Sequence, residues 1–311
     1  MPNQYLGVDP MLTKTAIGYK NERMIADLVF PELGVNKQSG KHFTYDRARF
    51  RVEETERAAG TNSKEVTLAV GTGSTYFAED HALKQFVSDE DRDNAITPTT
   101  PMVDATENVM DLLKIAKEKE LADLITSTAN LTQNTTLAGT DQWSDYTNSD
   151  PFDDLETGMQ TVHSAIGVNP NTLILGKEVF DKLKHHPDLL ERVKYSERGV
   201  ITVEMLANLI GVEQVLIGGA YYTSSAEGQT EATSYVWGKH SILAFVPKRM
   251  TPKMIGLGLS YTWNAKTLGV KKLRGSDEDD REGTYVRAGG YYYDQKIVAA
   301  AAGYLLKNSV A

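Results

Sequence analysis

The sequence predicts an α+β fold, and three observations carry that prediction. Residues 99–127 contain a helical signal with no glycine or proline after Pro101. Residues 150–218 read as helix–strand–helix–helix–strand. The stretches on either side, 41–87 and 235–306, carry strand patterns with few helical ones. Such segregation, with one compact α/β lobe, is an α+β arrangement rather than a continuous βαβ repeat.

Residues 1–40 include a short amphipathic piece, Thr15 to Phe30, closed by Pro31. It reads either as an arm packing on something else or as a helix capping its own domain. In KHFTYDRARFRVE (41–53), Phe43 and Tyr45 alternate with polar residues. Arg47, Arg49 and Arg51 share one strand face, and Phe50 and Val52 take the other. The next residues, through Lys64, are small or charged; Glu65–Val70 and Thr75–Val87 return to strand character. This is a long two-stranded excursion, and a lone hairpin is marginal in water. It is either a surface hairpin lying on its own domain or a reach toward another chain. In the second case Arg47, Arg49, Arg51 and Lys64 at its tip would form intermolecular ion pairs. Exposed pairs contribute only about 0.2–1 kcal/mol each, so such a contact would depend on repetition.

Residues 88–95 are a charged connector. The long helix then begins at Thr100 as N-cap, with Pro101 at its first position and Asp104 and Glu107 near the positive end of its dipole. Val109, Leu113 and Leu124 belong to its apolar stripe and are its expected packing residues. At about 1.5 Å per residue it is on the order of 40 Å long. The turn Lys117–Glu120 has no apolar side chain, which suggests that the rod leaves its own core there. Residues 126–150 are a loop by composition, anchored by Trp143. Asp150, Pro151 and Gly167 bound a helix; Asn171–Gly176 is a buried strand; Lys177–Lys184 is a helix stopped near Pro187. Thr202 and Gly211 bound another helix, and Glu213–Ile217 is a strand. Tyr235–Val246, Leu257–Trp263 and Tyr285–Leu306 are further strands. The run Ala299–Ala302 in the last of them implies close packing against a helix, because Ala is a poor strand former.

The chemistry is sparse. The 311 residues hold 33 basic and 42 acidic side chains, a net charge of −9, which argues against a non-specific nucleic-acid binder. Cysteine is absent, so disulfides and thiolate chemistry are excluded. The N-terminus has no signal-peptide pattern, and the apolar run 297–306 is too short for a bilayer. The six histidines lack metal-binding spacing, and His185–His186 reads as a solvated helix end. The acidic run 277–282 lacks calcium-loop spacing. No glycine pattern makes a phosphate cradle, and there is no GxSxG. No catalytic, cofactor-binding or metal residue is assigned, and no cofactor is expected.

Eight stretches, taken in order from residue 25 to residue 305, carry a resemblance. They are IADLVFPELGVNKQSGKHFTYD (25–46), TYFAEDHALKQFVSDEDRDNA (75–95), DATENVMDLLKIAKEKELADLI (104–125), GTDQWSD (139–145), NPNTLILGKEVFDKLKHHPDLLERVKY (169–195), LANLIGVEQVLIGGA (206–220), VWGKHSILAFVP (236–247) and YYYDQKIVAAAAGYL (291–305). The series resembles the major capsid proteins of tailed double-stranded-DNA bacteriophages, of the Hong Kong 97 type. The resemblance implies an N-terminal arm (1–40), an extended β-hairpin loop over a neighbouring subunit (41–87), and a peripheral domain (88–149) with the spine helix 99–127. It further implies a mainly axial domain (150–255) and return strands to the peripheral domain (256–311). It implies a non-enzymatic subunit that self-assembles as hexamers and pentamers into the icosahedral shell of the virion. The shell would form in the host cytoplasm and mature from a procapsid. It would enclose DNA without specific binding, with a portal protein as partner and decoration proteins as optional ones. The chain starts directly at the arm with Met1, so a separate scaffolding protein is expected. Lys64 and Asn62 lie at the loop tip, but no glutamate is identified to cross-link them, and no cross-linking residues are assigned. The alternatives are an encapsulin-like nanocompartment shell and a soluble α/β enzyme with a lid hairpin.

Overall fold

The computed structural model describes the chain except for residues 1–4, 20, 22, 45–54, 58, 61, 64, 66–70, 97–99, 194–200, 226–227, 249–254 and 275–281. The chain opens with β1 (Tyr5–Val8), α1 (Pro10–Gly18), α2 (Ala26–Val29) and β2 (Glu32–Val35). Asp9 caps α1 by accepting from the N–H groups of Met11 and Leu12 at 2.9 and 3.1 Å. The expected piece Thr15–Phe30 is therefore divided between two helices, one ending at Gly18 and the next beginning at Ala26. Next come β3 (Ser39–Thr44), β4 (Gly71–Phe77), β5 (Glu79–Ser88) and α3 (Asp89–Asp93). Among the described residues β3 and β4 pair only with each other, whereas β5 joins a different sheet. The stretch Thr75–Val87 is thus not one hairpin arm; the chain changes sheets at Ala78, which is fully buried.

The long helix is α4 (Pro101–Ile125), within the predicted 99–127. Pro101 takes the first position as expected, but the Thr100 side chain makes no capping hydrogen bond. β6 (Asn134–Thr136) and α5 (Pro151–Ile166) follow. Asp150 caps α5 by accepting from Asp153 N–H at 3.1 Å, and Gly167 ends it with φ +72°. β7 (Thr172–Gly176) is buried along its whole length. α6 (Lys177–Leu183), α7 (Pro187–Val193), α8 (Val203–Ile210) and β8 (Gln214–Gly218) complete the lobe. The expected strand 235–246 is broken: β9 (Tyr221–Thr223) pairs with β10 (Thr233–Tyr235), a turn follows, and β11 (Ser241–Ala244) enters the lobe. The chain ends with β12 (Gly258–Trp263), β13 (Gly269–Arg274), β14 (Gly283–Ile297), a 3-10 turn at Ala300–Ala302, and β15 (Gly303–Lys307). That alanine turn packs into the same core cluster as α5, so the expected helix contact is present while the strand is not.

Two larger sheets organise these elements. In one, β14 is the shared strand: its length pairs antiparallel with β5 on one side, and β13 and β12 divide the other side. β1 adds to β13 antiparallel and β2 to β12 parallel. The second has the order β6-β15-β11-β7-β8 and carries α5 to α8 around its core. Residues 256–311 therefore do not return as one block. β12–β14 join the first sheet, but β15 sits inside the second. No helix of the described residues is long and apolar enough to cross a membrane.

Candidate functional site

Helix α4 lies at the meeting of the two sheets, and its side chains show why. In its first half, Val109 and Leu113 are buried with Leu12, Val270 and Val286 against the first sheet. In its last turns, Leu121, Ala122 and Ile125 pack with Phe30, Trp237, Ile242 and Leu305, on the second sheet's side. Leu124 is only half-buried and borders that second cluster. The expected packing residues thus serve two cores rather than one. At β12 the approach is close: a Cβ at Gly258 would sit 2.1 Å from the Phe30 ring, so glycine there lets the arm dock.

Between the two cores lies the turn Lys117–Glu120. The sequence placed it where the rod leaves its core; the structure reverses this, since Lys117 is 2% exposed and Glu118 fully buried. Lys117 Nζ donates to Asp27 Oδ1 and Glu32 Oε1, each at 2.7 Å, and to the Tyr291 hydroxyl at 2.6 Å. Glu118 accepts from Ile25 N–H at 2.9 Å, Ala26 N–H at 2.7 Å and Trp237 Nε1–H at 2.5 Å. Helix, arm, first sheet and the turn before β11 meet at two adjacent side chains. Tyr291 and Tyr293 share one strand face and lie 5.0 and 5.2 Å from Lys117 Nζ, while Tyr293 stacks on His81 at 4.0 Å. Burial lowers the Lys117 pKa; the Tyr291 hydroxyl and the two carboxylates outweigh it and hold the pKa above the ordinary lysine range. Burial pushes the Glu118 carboxyl up, against the pull of its three donors, and likewise pushes up Glu120. Upstream, the Tyr19 hydroxyl and Asn21 amide donate to Asp111 at 2.9 and 3.0 Å, and Lys114 donates to the Tyr19 carbonyl. The arm is hydrogen-bonded to the helix from Asp111 to Glu118.

Arg47, Arg49, Arg51 and Lys64 lie outside the described residues. His186, expected in solvent, is buried beside Tyr146 with its Nε2 3.0 Å from Ser149 Oγ, and its pKa is lowered by burial. Trp143 is buried as expected and donates to Asp154 at 2.8 Å. The geometry fits mechanical coupling: a rod clamped to an arm and two sheets.

A family model described as phage major capsid protein E matches residues 127–252. Over its whole length the chain is 30% identical to the whole major capsid protein of Pseudomonas phage JBD67. It is also 30% identical, over 77% of this chain and 76% of that one, to the major capsid protein of Burkholderia phage BcepMu. Among solved structures, a phage-related protein from Bordetella bronchiseptica RB50 superposes with a TM-score of 0.77 at 26% identity, covering 97% of each chain. The capsid structure of cyanophage P-SCSP1u superposes at 0.59 and 11% identity, over 93% of this chain and 89% of that one, a likeness of fold. The chain belongs to the major capsid proteins of tailed bacteriophages, structural and non-enzymatic subunits of the Hong Kong 97 type of fold.

Proposed function

We propose that copies of this capsid subunit assemble as hexamers and pentamers into an icosahedral shell that encloses double-stranded phage DNA. Residues 1–40 act as the arm, 41–77 as the extended loop over a neighbouring subunit, with β5 held in the first sheet of its own subunit, α4 as the spine, and most of 150–255 as the axial domain. The observation that carries this reading is the β3–β4 pair. Among the described residues it is a two-stranded sheet of its own, held to the body by Tyr76 stacked on Tyr261 at 4.5 Å and by Phe77 N–H on Asp294 at 2.8 Å. Its base is anchored, while Phe77 is 52% exposed. Two strands alone gain too little burial to stand free, so a neighbouring copy is their natural support. Portal, scaffolding and decoration proteins are the further partners that the family resemblance implies. The net charge of −9 suits a container that repels its DNA rather than gripping it.

The experiment reverses Arg47, Arg49 and Arg51 together to Glu and measures the fraction of protein sedimenting as particles. The expected result is a subunit that unfolds as cooperatively as wild type but forms few particles. A normal particle yield would remove the ion-pairing role of that arginine face.

A further inference from the structure

The first sheet has a second face. Val87, Val270, Val286 and Ala288 share a buried cluster with Val109 and Leu113 of α4. Period-two alternation therefore turns Lys84, Phe86, Lys271, Leu273, Tyr285 and Arg287 away from the helix. Register then aligns three cations on that face: Lys84 stands opposite Arg287, and Arg287 opposite Lys271. Like charges directly across strands destabilise a sheet, so an unoccupied row costs local stability. It has little internal relief. Arg287 reaches Asp80 only at 3.9 Å, and the other Asp80 oxygen accepts from Gly290 N–H at 3.1 Å. Lys84 lies over the Tyr285 ring at 4.6 Å. Among the described residues no carboxylate pairs with Lys84 or Lys271.

One end of the same sheet has the opposite sign. Where β5 and β14 finish pairing at Ser88 and Gly283, α3 begins, and Asp89 N–H donates to the Glu282 carbonyl at 3.2 Å. Asp89, Glu90, Asp91, Asp93 and Glu282 gather there against Arg92 and Arg274. Glu90, Asp93 and Glu282 are exposed. Gly283 and Arg287 are four residue steps apart, about 13 Å along a strand. That exceeds the screening length of about 8–10 Å in physiological salt, so the two patches do not neutralise each other within one copy.

We propose that the cationic row Lys84–Arg287–Lys271 receives the acidic α3 end of a second copy of this chain. Row and end lie at different places on the subunit, so the contact is head-to-tail, the kind that closes into rings. This rests on the shell-building reading above and adds the surfaces that would meet. A nucleic-acid backbone is the competing occupant; the complementary patch on the chain itself, and its net negative charge, favour a second copy.

The test is a charge swap in the full-length chain, read as the fraction sedimenting as particles. Lys84→Glu with Lys271→Glu and Arg287→Glu is expected to lower that fraction at least about tenfold, and so is Glu90→Lys with Asp93→Lys and Glu282→Lys. All six substitutions together are expected to restore it to within about threefold of wild type. Because recovery of function requires a folded chain, the combined variant separates lost contact from lost fold. One-sided variants with wild-type yield, or a combined variant that fails to recover, overturn the pairing. So does a row variant that keeps its particles and loses binding to a labelled DNA duplex. A wild type that stays monomeric overturns both the pairing and the shell; particles indifferent to every reversal overturn the pairing alone.

Discussion

Lys117 and Glu118 behave differently although they are adjacent and both buried. The partners of Lys117, Asp27 and Glu32, remain 59% and 43% exposed, so water takes over when the lysine is lost. The partners of Glu118 are the Ile25 and Ala26 N–H groups and the Trp237 indole, each buried. Removing the carboxylate strands these donors, at about 1–3 kcal/mol each. Glu118→Ala should therefore cost more than about 3 kcal/mol in denaturant unfolding, and Asp27→Ala less than about 1. Equal losses would contradict this division. Two histidines make a second residue-scale prediction. Burial lowers the pKa of both His186 and His240 below the ordinary 6.5. The unfolded chain then binds more protons than the folded one just below that value. The stability these groups contribute is complete above pH 6.5 and declines as pH falls toward their lowered folded values. A thermal midpoint falling between about pH 7 and pH 5, with a smaller fall in His186→Gln, is the expected outcome. An unchanged fall in that variant would rule out His186.

At the scale of elements, α4 was legible in its extent and illegible in its middle. Pro101 and the uninterrupted run marked it because these are local signals. The burial of Lys117 was hidden because its partners lie 85 to 174 residues away, and four charged residues in succession ordinarily face water. The caps at Asp150, Gly167, Thr202 and Gly211 were readable for the same local reason as Pro101. The divided strand at Ala78 was not: no breaker marks it, and the division is set by which sheet each half joins. β13 carries no strand signal in the sequence, because Lys271, Lys272 and Arg274 leave it without clear apolar alternation. The helix also yields a graded prediction. Leu113, 4% exposed, should lose about 2–5 kcal/mol on truncation to Ala. Half-buried Leu124 should lose less, and Leu112, 50% exposed, should lose within about 1 kcal/mol. Urea unfolding of the three variants checks the order; a large loss at Leu112 would mean that the helix packs on a different face.

At the scale of the molecule, the order of segments from residue 25 to residue 305 pointed to the family, and the capsid relatives place the chain in it. The two-sheet construction was only partly visible. That β15 lies between β6 and β11 depends on a return of the last residues that no local pattern announces. The result is a subunit whose arm, rod, first sheet and the turn leading into the second sheet are hydrogen-bonded at one buried junction, with a β3–β4 pair that, among the described residues, lacks a third strand. Such a body is suited to repetition. Electron microscopy of the purified full-length protein tests this most directly: the account predicts uniform icosahedral particles with subunits grouped in sixes and fives, whereas a population of monomers or dimers would contradict it.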